Sequence, residues 1–132
     1  MRLLLDTHAL LWFLSGDERL SRHAHGLISN PDTDAMVSVA SLWEIVIKAS
    51  LGRLDLAEPF GELIPAQLEA ERIRMLPVEI THLVALRSLP HHHRDPFDRL
   101  IIAQAIAEDV SVISRDREFE AYSVTTLWKP ER

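Results

Sequence analysis

The chain has 132 residues, of which 47% are hydrophobic, and this is enough apolar side chain for one domain with its own core. We therefore expect a single domain over residues 1–132. The absence of cysteine excludes disulfides, thiolate nucleophiles and cysteine-ligated zinc or iron–sulfur sites. The formal net charge of −6 argues against binding nucleic acid by overall charge, unless bound divalent cations neutralise some of the acids.

The N-terminal segment does not have the pattern of a signal peptide. Asp6 interrupts the apolar run that begins at Leu3, and no small-residue cleavage site follows. The next apolar stretch, residues 9–14, is too short to cross a bilayer. We expect a soluble cytoplasmic protein without a membrane partner.

Short apolar segments alternate with helical stretches along the chain, which is typical of an α/β fold with a parallel sheet. Five strands are predicted, at residues 2–5, 35–39, 74–78, 110–114 and 124–127. An apolar helix follows the first strand, whereas residues 17–30 indicate a helix only weakly.

Three later helices are predicted from apolar spacing and end signals. Residues 41–51 have the i, i+3, i+4, i+7 spacing of a helix face, and Gly52 suits the C-terminal end. Residues 58–72 look helical, but Pro65 predicts a break or a kink. Pro96 favours the start of a well-buried helix that runs to about Glu108, after a polar loop at residues 89–94.

Four carboxylates stand where strands end or helices begin. Asp6 ends the first strand, Glu44 lies in the first turn of the helix after the second strand, Asp98 lies in the first turn of the Pro96 helix, and Asp116 follows the fourth strand. Because the carboxyl ends of parallel strands share one edge of a sheet, we expect these acids to meet in one crevice. Asp95 is expected at its border.

Helix capping is an alternative explanation for any one of these acids, since helix N-termini favour carboxylates. Ser41 and Glu44 have the spacing of a capping box, and Glu44 also pairs with Lys48 at i, i+4. Asp95 is a plausible N-cap before Pro96. For Glu44 and Asp95, capping and catalysis both stay open. Capping alone explains Asp6 less well, because a charge between an apolar strand and an apolar helix is costly to desolvate.

Converging carboxylates raise one another's pKa, so a cation must join them if all are to stay ionised. Mg²⁺ and Mn²⁺ prefer oxygen ligands and keep several waters. One or two such ions activate water and stabilise the charge on phosphorus-bound oxygens during in-line displacement. The acidic set therefore predicts metal-dependent hydrolysis of phosphodiesters.

Four segments together resemble a known family: LLLDTH at residues 3–8, SVASLWEI at 38–45, RDPFDRLI at 94–101 and ISRD at 113–116. In this order they resemble PIN-domain proteins and, within that family, the VapC toxins of bacterial type II toxin–antitoxin pairs. The resemblance covers nearly the whole chain and is weakest over residues 17–34 and 54–74. Its specificity lies in the combination and not in any single segment.

The resemblance implies a three-layer α/β/α sandwich with a mostly parallel central sheet. It also implies a Mg²⁺- or Mn²⁺-dependent endoribonuclease that cuts structured or single-stranded RNA, usually as a homodimer, and a VapB-type antitoxin that blocks the site. Thr7 and Ser114 match positions whose hydroxyls orient the carboxylates or a metal-bound water, and Asp95 belongs to the motif with an open role. The family's catalytic and metal-binding acids match four positions here: Asp6, Glu44, Asp98 and Asp116.

Four arginines flank the acids and are candidates for binding RNA phosphates: Arg94, Arg99, Arg115 and Arg117. For Arg99 and Arg115, pairing with neighbouring carboxylates is an equal alternative. The triplet at residues 91–93 is expected to be solvated or to contact substrate, because adjacent histidines rarely point at one centre. His8 either contacts substrate or packs beside the sheet.

Three aromatic residues, Trp12, Phe13 and Trp43, are expected in the core more than at an interface. An aspartyl-nucleophile phosphatase would need a second aspartate where His8 stands, and a nucleotide-binding fold would need a glycine-rich first turn. The remaining hypotheses are a metal-dependent nuclease, a catalytically inactive domain that binds a partner or RNA, and a histidine-driven nuclease that needs no metal.

Overall fold

A computed structural model describes residues 1–130 of the chain. Five strands form one sheet in the order β3-β2-β1-β4-β5, and every neighbouring pair is parallel. The strands are β1 (Arg2–Leu5), β2 (Asp34–Ser38), β3 (Ile73–Leu76), β4 (Ser111–Ile113) and β5 (Thr126–Leu127). Each predicted strand is present, and its ends differ from the predicted ends by at most about two residues, which is ordinary for strand boundaries.

Helices cover both faces of the sheet. They are α1 (Thr7–Ser15), α2 (Arg22–Ser29), α3 (Val39–Ser50), α4 (Phe60–Ala70), α5 (Ile80–Arg87) and α6 (Pro96–Glu108), followed by a short 3₁₀ helix (Arg117–Ala121). Within residues 1–130, no helix combines the length and the apolar character needed to cross a bilayer.

The core has two halves because side chains alternate between the faces of each strand. On β1, Leu3 and Leu5 pack into a cluster with residues of α1 to α4, whereas Leu4 packs into a second cluster with Ile101 and Ile102 of α6. All three β1 leucines have no exposed surface, as expected for a parallel strand that is covered on both sides. The predicted three-layer α/β/α sandwich is confirmed.

Helix α3 begins two residues earlier than predicted. Ser38 is its N-cap, and the Ser38 hydroxyl accepts a hydrogen bond from the Ala40 N–H at 3.0 Å. The predicted position of Glu44 in the first turn is therefore wrong, and so is the predicted capping box of Ser41 and Glu44, because Glu44 lies in the second turn. Gly52 ends the helix as expected, with a φ of +71° that suits a residue without a side chain.

Helix α4 is continuous across Pro65, so the predicted break is absent. The buried side chains of Ile64 and Leu68 anchor the helix to the core on both sides of the proline. Pro65 itself is exposed, and water can satisfy the carbonyl that lacks its N–H partner.

Two helices lie where the sequence predicted a helix only weakly or did not predict one. Helix α2 begins after Ser21, whose hydroxyl accepts from the Ala24 N–H. Helix α5 was not predicted, because its N-cap is Glu79 and its apolar side chains do not form one buried stripe: Ile80 and Val84 are 75% and 63% exposed.

Candidate active site

A crevice of about 290 Å³ opens at the carboxyl ends of β1 and β4, where helices α1, α3 and α6 begin or pass. Strand order reverses direction at β1, and this is the usual position of a ligand site in an open parallel sheet. The four predicted acids converge there, and Asp95 lies beside them. The crevice is lined by Asp6, Thr7, His8, Trp12, Glu44, Lys48, Asp95, Asp98, Arg115 and Asp116.

Asp6 lies at the end of β1 and caps α1. Its Oδ1 accepts a hydrogen bond from the Ala9 N–H at 2.8 Å, and the residue is only 6% exposed. Burial raises the pKa of the Asp6 carboxyl, against the opposing effects of the Ser114 hydroxyl and the Ala9 N–H. Capping and a place in the acidic crevice are thus both true of this residue.

Glu44 projects from the second turn of α3 and is nearly buried. The Thr7 hydroxyl donates to its Oε1 at 2.7 Å and lies 3.0 Å from the Ser41 hydroxyl. Lys48 contacts Oε2 at 2.8 Å, which confirms the predicted i, i+4 pair. Each oxygen of Glu44 therefore has a protein partner that fixes the carboxylate towards the crevice.

Asp95 and Asp98 stand at the start of α6. Asp95 caps the helix, because its Oδ1 accepts from the N–H groups of Phe97 at 2.8 Å and Asp98 at 3.3 Å. The pKa of Asp98 is raised to about 7, first by burial and then by the negative charges of Asp95, Asp6 and Glu44. Both causes disfavour the charged carboxylate, and a cation bound beside it would offset them.

Asp116 caps the 3₁₀ helix after β4, and its Oδ1 accepts from the Glu118 N–H at 2.9 Å. Its Oδ2 lies 2.9 Å from Nε2 of His93. The same nitrogen is 3.2 Å from Oδ2 of Asp98 and 3.3 Å from Oε2 of Glu118. His93 is therefore part of the acidic cluster.

The expectation for the histidine triplet is correct for two residues and wrong for the third. His91 and His92 are exposed, whereas the His93 side chain is only 9% exposed. The loop turns inward because the N–H groups of His92 and His93 both donate to the Tyr122 hydroxyl. Burial lowers the pKa of His93, but the Asp116 hydrogen bond and the surrounding carboxylates outweigh it and raise the pKa. Sequence offered no signal that separates these three neighbours.

Basic and aromatic side chains form one wall of the crevice. The Arg115 guanidinium lies 4.7 Å from the centre of the Trp12 ring and so stacks on an aromatic face, and it forms no ion pair with a carboxylate of residues 1–130. His8 is exposed and also stacks on Trp12, with 5.4 Å between the two ring centres. Arg94 and Arg117 are exposed near the acids in sequence.

Arg99 has a different environment from the other three arginines. Its guanidinium donates to the Pro90 carbonyl at 2.8 Å and to the Tyr122 hydroxyl at 3.3 Å. It therefore holds the loop before α6, and its role in substrate binding stays a prediction. Of the aromatic residues expected in the core, Trp12 is buried and Phe13 packs against the core. Trp43 is 61% exposed, so that prediction is wrong.

The donor set of the crevice fits a hard divalent cation. Its acids offer oxygen atoms alone, which Mg²⁺ and Mn²⁺ prefer. One carboxylate oxygen of Asp98 and one of Asp116 lie within 4.8 Å of each other and of a ring nitrogen of His93. The pKa of Asp98 is raised first by burial and then by the neighbouring carboxylates, and a bound cation would favour the charged form of this carboxyl.

Comparison with known proteins places the chain in a family. The family model described as PIN domain matches residues 3–124, a span that contains every acid of the crevice. The chain belongs to the PIN domain family. This confirms the family resemblance that the sequence motifs predicted.

Similar proteins cover almost the full length of this chain. It is 31% identical over 129 residues to Ribonuclease VapC22 of Mycobacterium tuberculosis, and the match covers 95% of this chain and 97% of that relative. A solved structure of VapBC2 from Rickettsia felis, bound to a promoter DNA fragment, is similar with a TM-score of 0.74 and 14% identity over 98% of this chain and 100% of that one. A DNA-bound VapBC from Salmonella typhimurium gives a TM-score of 0.64 and 17% identity, over 96% and 97% of the two chains. At these identities the two structures support the fold alone.

Proposed function

We propose that this PIN-domain protein is a Mg²⁺- or Mn²⁺-dependent endoribonuclease toxin that is neutralised by a VapB-type antitoxin and acts in the cytoplasm. The observation that carries the proposal is the convergence of Asp6, Glu44, Asp98 and Asp116 in one crevice. A relative named as a ribonuclease, aligned over nearly the whole chain, supports the choice of RNA as substrate.

Asp6, Asp98 and Asp116 would hold the cation, and Glu44 completes the acidic set. When bound, such an ion supplies activation of water and neutralisation of the phosphate charge in phosphodiester hydrolysis. Thr7 orients Glu44 through the 2.7 Å hydrogen bond. The Ser114 hydroxyl accepts from the Asp116 N–H at 3.1 Å and so fixes the backbone that carries Asp116.

Cationic side chains at the rim would bind the RNA phosphates. Arg115 and Lys48 line the crevice directly, and Arg94 and Arg117 extend the positive surface on exposed loops. Because Trp12 contacts the face of the Arg115 guanidinium, the edge of the guanidinium can form bidentate contacts with a phosphate. These local cations offset the unfavourable overall charge of −6.

Cleavage of RNA by the purified protein, with and without metal, tests the proposal. We expect cleavage in Mg²⁺ or Mn²⁺ and none after EDTA. Asp6→Asn and Asp98→Asn should each lower the rate by at least about a hundredfold, because one ligand to the cation is lost, and both should keep the native circular dichroism spectrum. The matched control is Asp32→Asn, which changes an exposed aspartate in the turn before β2 and should cleave normally.

Each other outcome selects one of the remaining hypotheses. Cleavage that survives EDTA would support a histidine-driven mechanism. RNA binding without cleavage by the wild-type protein in either metal would support a catalytically inactive binding domain. Equal cleavage by Asp98→Asn and wild type would contradict the metal site.

An antitoxin segment would lie in the groove next to the crevice. This groove, of about 660 Å³, runs between α1, the end of α3 and α4, and shares His8, Trp12 and Lys48 with the acidic crevice. Leu11, Leu14, Leu56 and Leu63 are among the apolar residues that line it, as expected for an amphipathic helix that inserts its apolar face. Similar solved structures are described as VapBC complexes, which supports a partner of this kind.

Co-expression tests the antitoxin. A small protein encoded next to this gene should co-purify with the chain and block its RNA cleavage, and Leu56→Arg in the groove should release it. Retained co-purification with Leu56→Arg would contradict the assigned groove.

Homodimerisation is proposed from the outward face of α5. Ile80, Leu83 and Val84 are 75%, 44% and 63% exposed on this one short helix, and a contiguous apolar surface of this kind is typical of an interface. The molar mass in solution, measured by light scattering, should be twice that of the chain and should fall to the monomer value in Ile80→Lys. A monomeric wild type would contradict the dimer.

A further inference from the structure

His93 has a buried imidazole in the middle of the proposed metal site. Its Nε2 faces Asp116 at 2.9 Å, Asp98 at 3.2 Å and Glu118 at 3.3 Å. Two roles fit this position: a nitrogen ligand to the cation, or a hydrogen-bond donor that orients the carboxylates. A metal ligand needs a lone pair on Nε2, whereas a hydrogen-bond donor needs a proton on Nε2. The environment of Nδ1, the second ring nitrogen, therefore distinguishes the two roles.

The second ring nitrogen is already engaged by the backbone. The Asp95 N–H donates to Nδ1 of His93 at 3.1 Å, and an atom that accepts a hydrogen bond cannot itself carry a proton in that direction. This contact opposes a proton on Nδ1 and therefore also the doubly protonated ring, so the single N–H of His93 lies on Nε2. A metal ligand needs a free lone pair at Nε2, which would move the proton to Nδ1 and set two N–H groups against each other.

The Nε2–H of His93 is therefore aimed at Asp116. That carboxylate receives one donor on each oxygen, the Glu118 N–H on Oδ1 and His93 on Oδ2, both at 2.9 Å. Each carboxylate oxygen has a second lone pair that stays available. The two donors thus fix the plane of the carboxylate and leave capacity to bind a cation.

We propose that His93 is a positioning residue that donates its Nε2–H to Asp116, fixes this carboxylate for cation binding, and does not ligate the cation. The inference rests on the proposed function, because that function supplies the cation. It extends the site beyond the acids to a residue whose ring links the start of α6, through the Asp95 N–H, to the 3₁₀ helix.

Two amide variants separate the roles of the two ring nitrogens. In His93→Gln, the side-chain NH₂ takes the place of Nε2 and can still donate to Asp116, but the acceptor for the Asp95 N–H is lost. In His93→Asn, the side-chain oxygen takes the place of Nδ1 and can still accept from Asp95, but no donor reaches Asp116. The measurement is the Mn²⁺ dissociation constant of each folded variant by calorimetry, together with kcat and KM for RNA cleavage.

We expect His93→Asn to weaken Mn²⁺ binding by about 10- to 100-fold, as for the loss of a group that orients a metal ligand. His93→Gln should stay within about threefold of wild type, since the donor is kept. In both variants the loss of cleavage should appear in kcat more than in KM, because His93 acts through Asp116 and does not contact the RNA.

Other patterns overturn the inference. Equal weakening in both variants would identify His93 as a ligand, and normal binding in His93→Asn would reduce it to an anchor of the loop. Failure of the proposed function gives a different result, since the wild-type protein would then bind no Mn²⁺ and Asp98→Asn would change nothing.

The tautomer can also be observed directly. Long-range ¹H–¹⁵N spectra of the His93 ring should show the proton on Nε2 before and after saturation with Mg²⁺. A proton that moves to Nδ1 when Mg²⁺ is added would contradict the positioning role, whatever the cleavage rates.

Discussion

Three aspartates of this protein both cap a helix and belong to the acidic site. Asp6, Asp95 and Asp116 each accept backbone N–H groups at the start of a helix, and each also lines the crevice. An N-cap stands where a strand or loop turns into a helix, which in a parallel α/β fold is the edge that carries ligands. The two explanations that sequence left open are therefore compatible. Glu44 is the exception, because it lies within α3 and caps nothing.

The Thr7 hydroxyl is expected to stabilise the fold through Glu44. Thr7→Val removes the donor 2.7 Å from Oε1 and leaves a nearly buried carboxylate with one partner fewer. The free energy of unfolding should fall by about 1.5–3 kcal/mol, the typical contribution of a hydrogen bond to a charged group. Urea unfolding measures the change. Thr7→Ser, which keeps the hydroxyl, should lose less than half as much, and an equal loss in both variants would instead indicate a packing defect.

The helices α3 and α5 differ from the sequence prediction in their start or in their presence. Because α3 begins at Val39 and not at residue 41, Ser41 and Glu44 lie inside the helix, where both contact Thr7, and the predicted capping box does not form. Helix α5 escaped prediction because its one fully buried residue is polar: His82 has no exposed surface, whereas Ile80, Leu83 and Val84 face outward. Such a helix depends on tertiary contacts that periodicity cannot show.

Two glycines, one beyond the end of a helix and one within a helix, should respond in opposite ways to replacement by alanine. Gly52 has a φ of +71° beyond the end of α3, where a side chain is strained, so Gly52→Ala should destabilise the protein by about 1 kcal/mol. Gly61 lies exposed within α4 with open space around it, and Gly61→Ala should stabilise by a similar amount. Thermal unfolding checks both. Equal effects of the same sign would contradict the assigned backbone conformations.

The contact between α5 and α6 should depend on pH. The His82 hydrogen bond, at 3.0 Å, lowers the pKa of Glu108. A lowered carboxyl pKa gives stability that is present above the ordinary glutamate pKa and is lost as the pH falls through the folded-state value. Glu108→Gln should therefore cost about 1 kcal/mol near pH 7 and much less near pH 3.

Urea unfolding at the two pH values measures this difference. Glu69→Gln, an exposed glutamate on α4, is the matched control and should show no change with pH. A cost for Glu108→Gln that is the same at both pH values would contradict the role of the charged form.

At the scale of the whole molecule, the strand and helix pattern of the sequence predicted the parallel sheet and the meeting of the four acids, and the family resemblance predicted the three layers. The sequence did not predict the place of His93, the exposure of Trp43 or the stacking of Arg115 on Trp12. Those features depend on how loops and helix faces fit together, for which apolar spacing carries no signal. The sheet topology thus brings the acids together, and the loops and helix faces set the positions of the side chains around them.

The central claim is that this crevice is a metal site, and anomalous X-ray scattering from crystals grown with Mn²⁺ tests it most directly. We predict an anomalous peak at bonding distance from the carboxylates of Asp6, Asp98 and Asp116, without a bond to Nε2 of His93. A map with no peak in the crevice, from a preparation that cleaves RNA in the same Mn²⁺ buffer, would contradict the account.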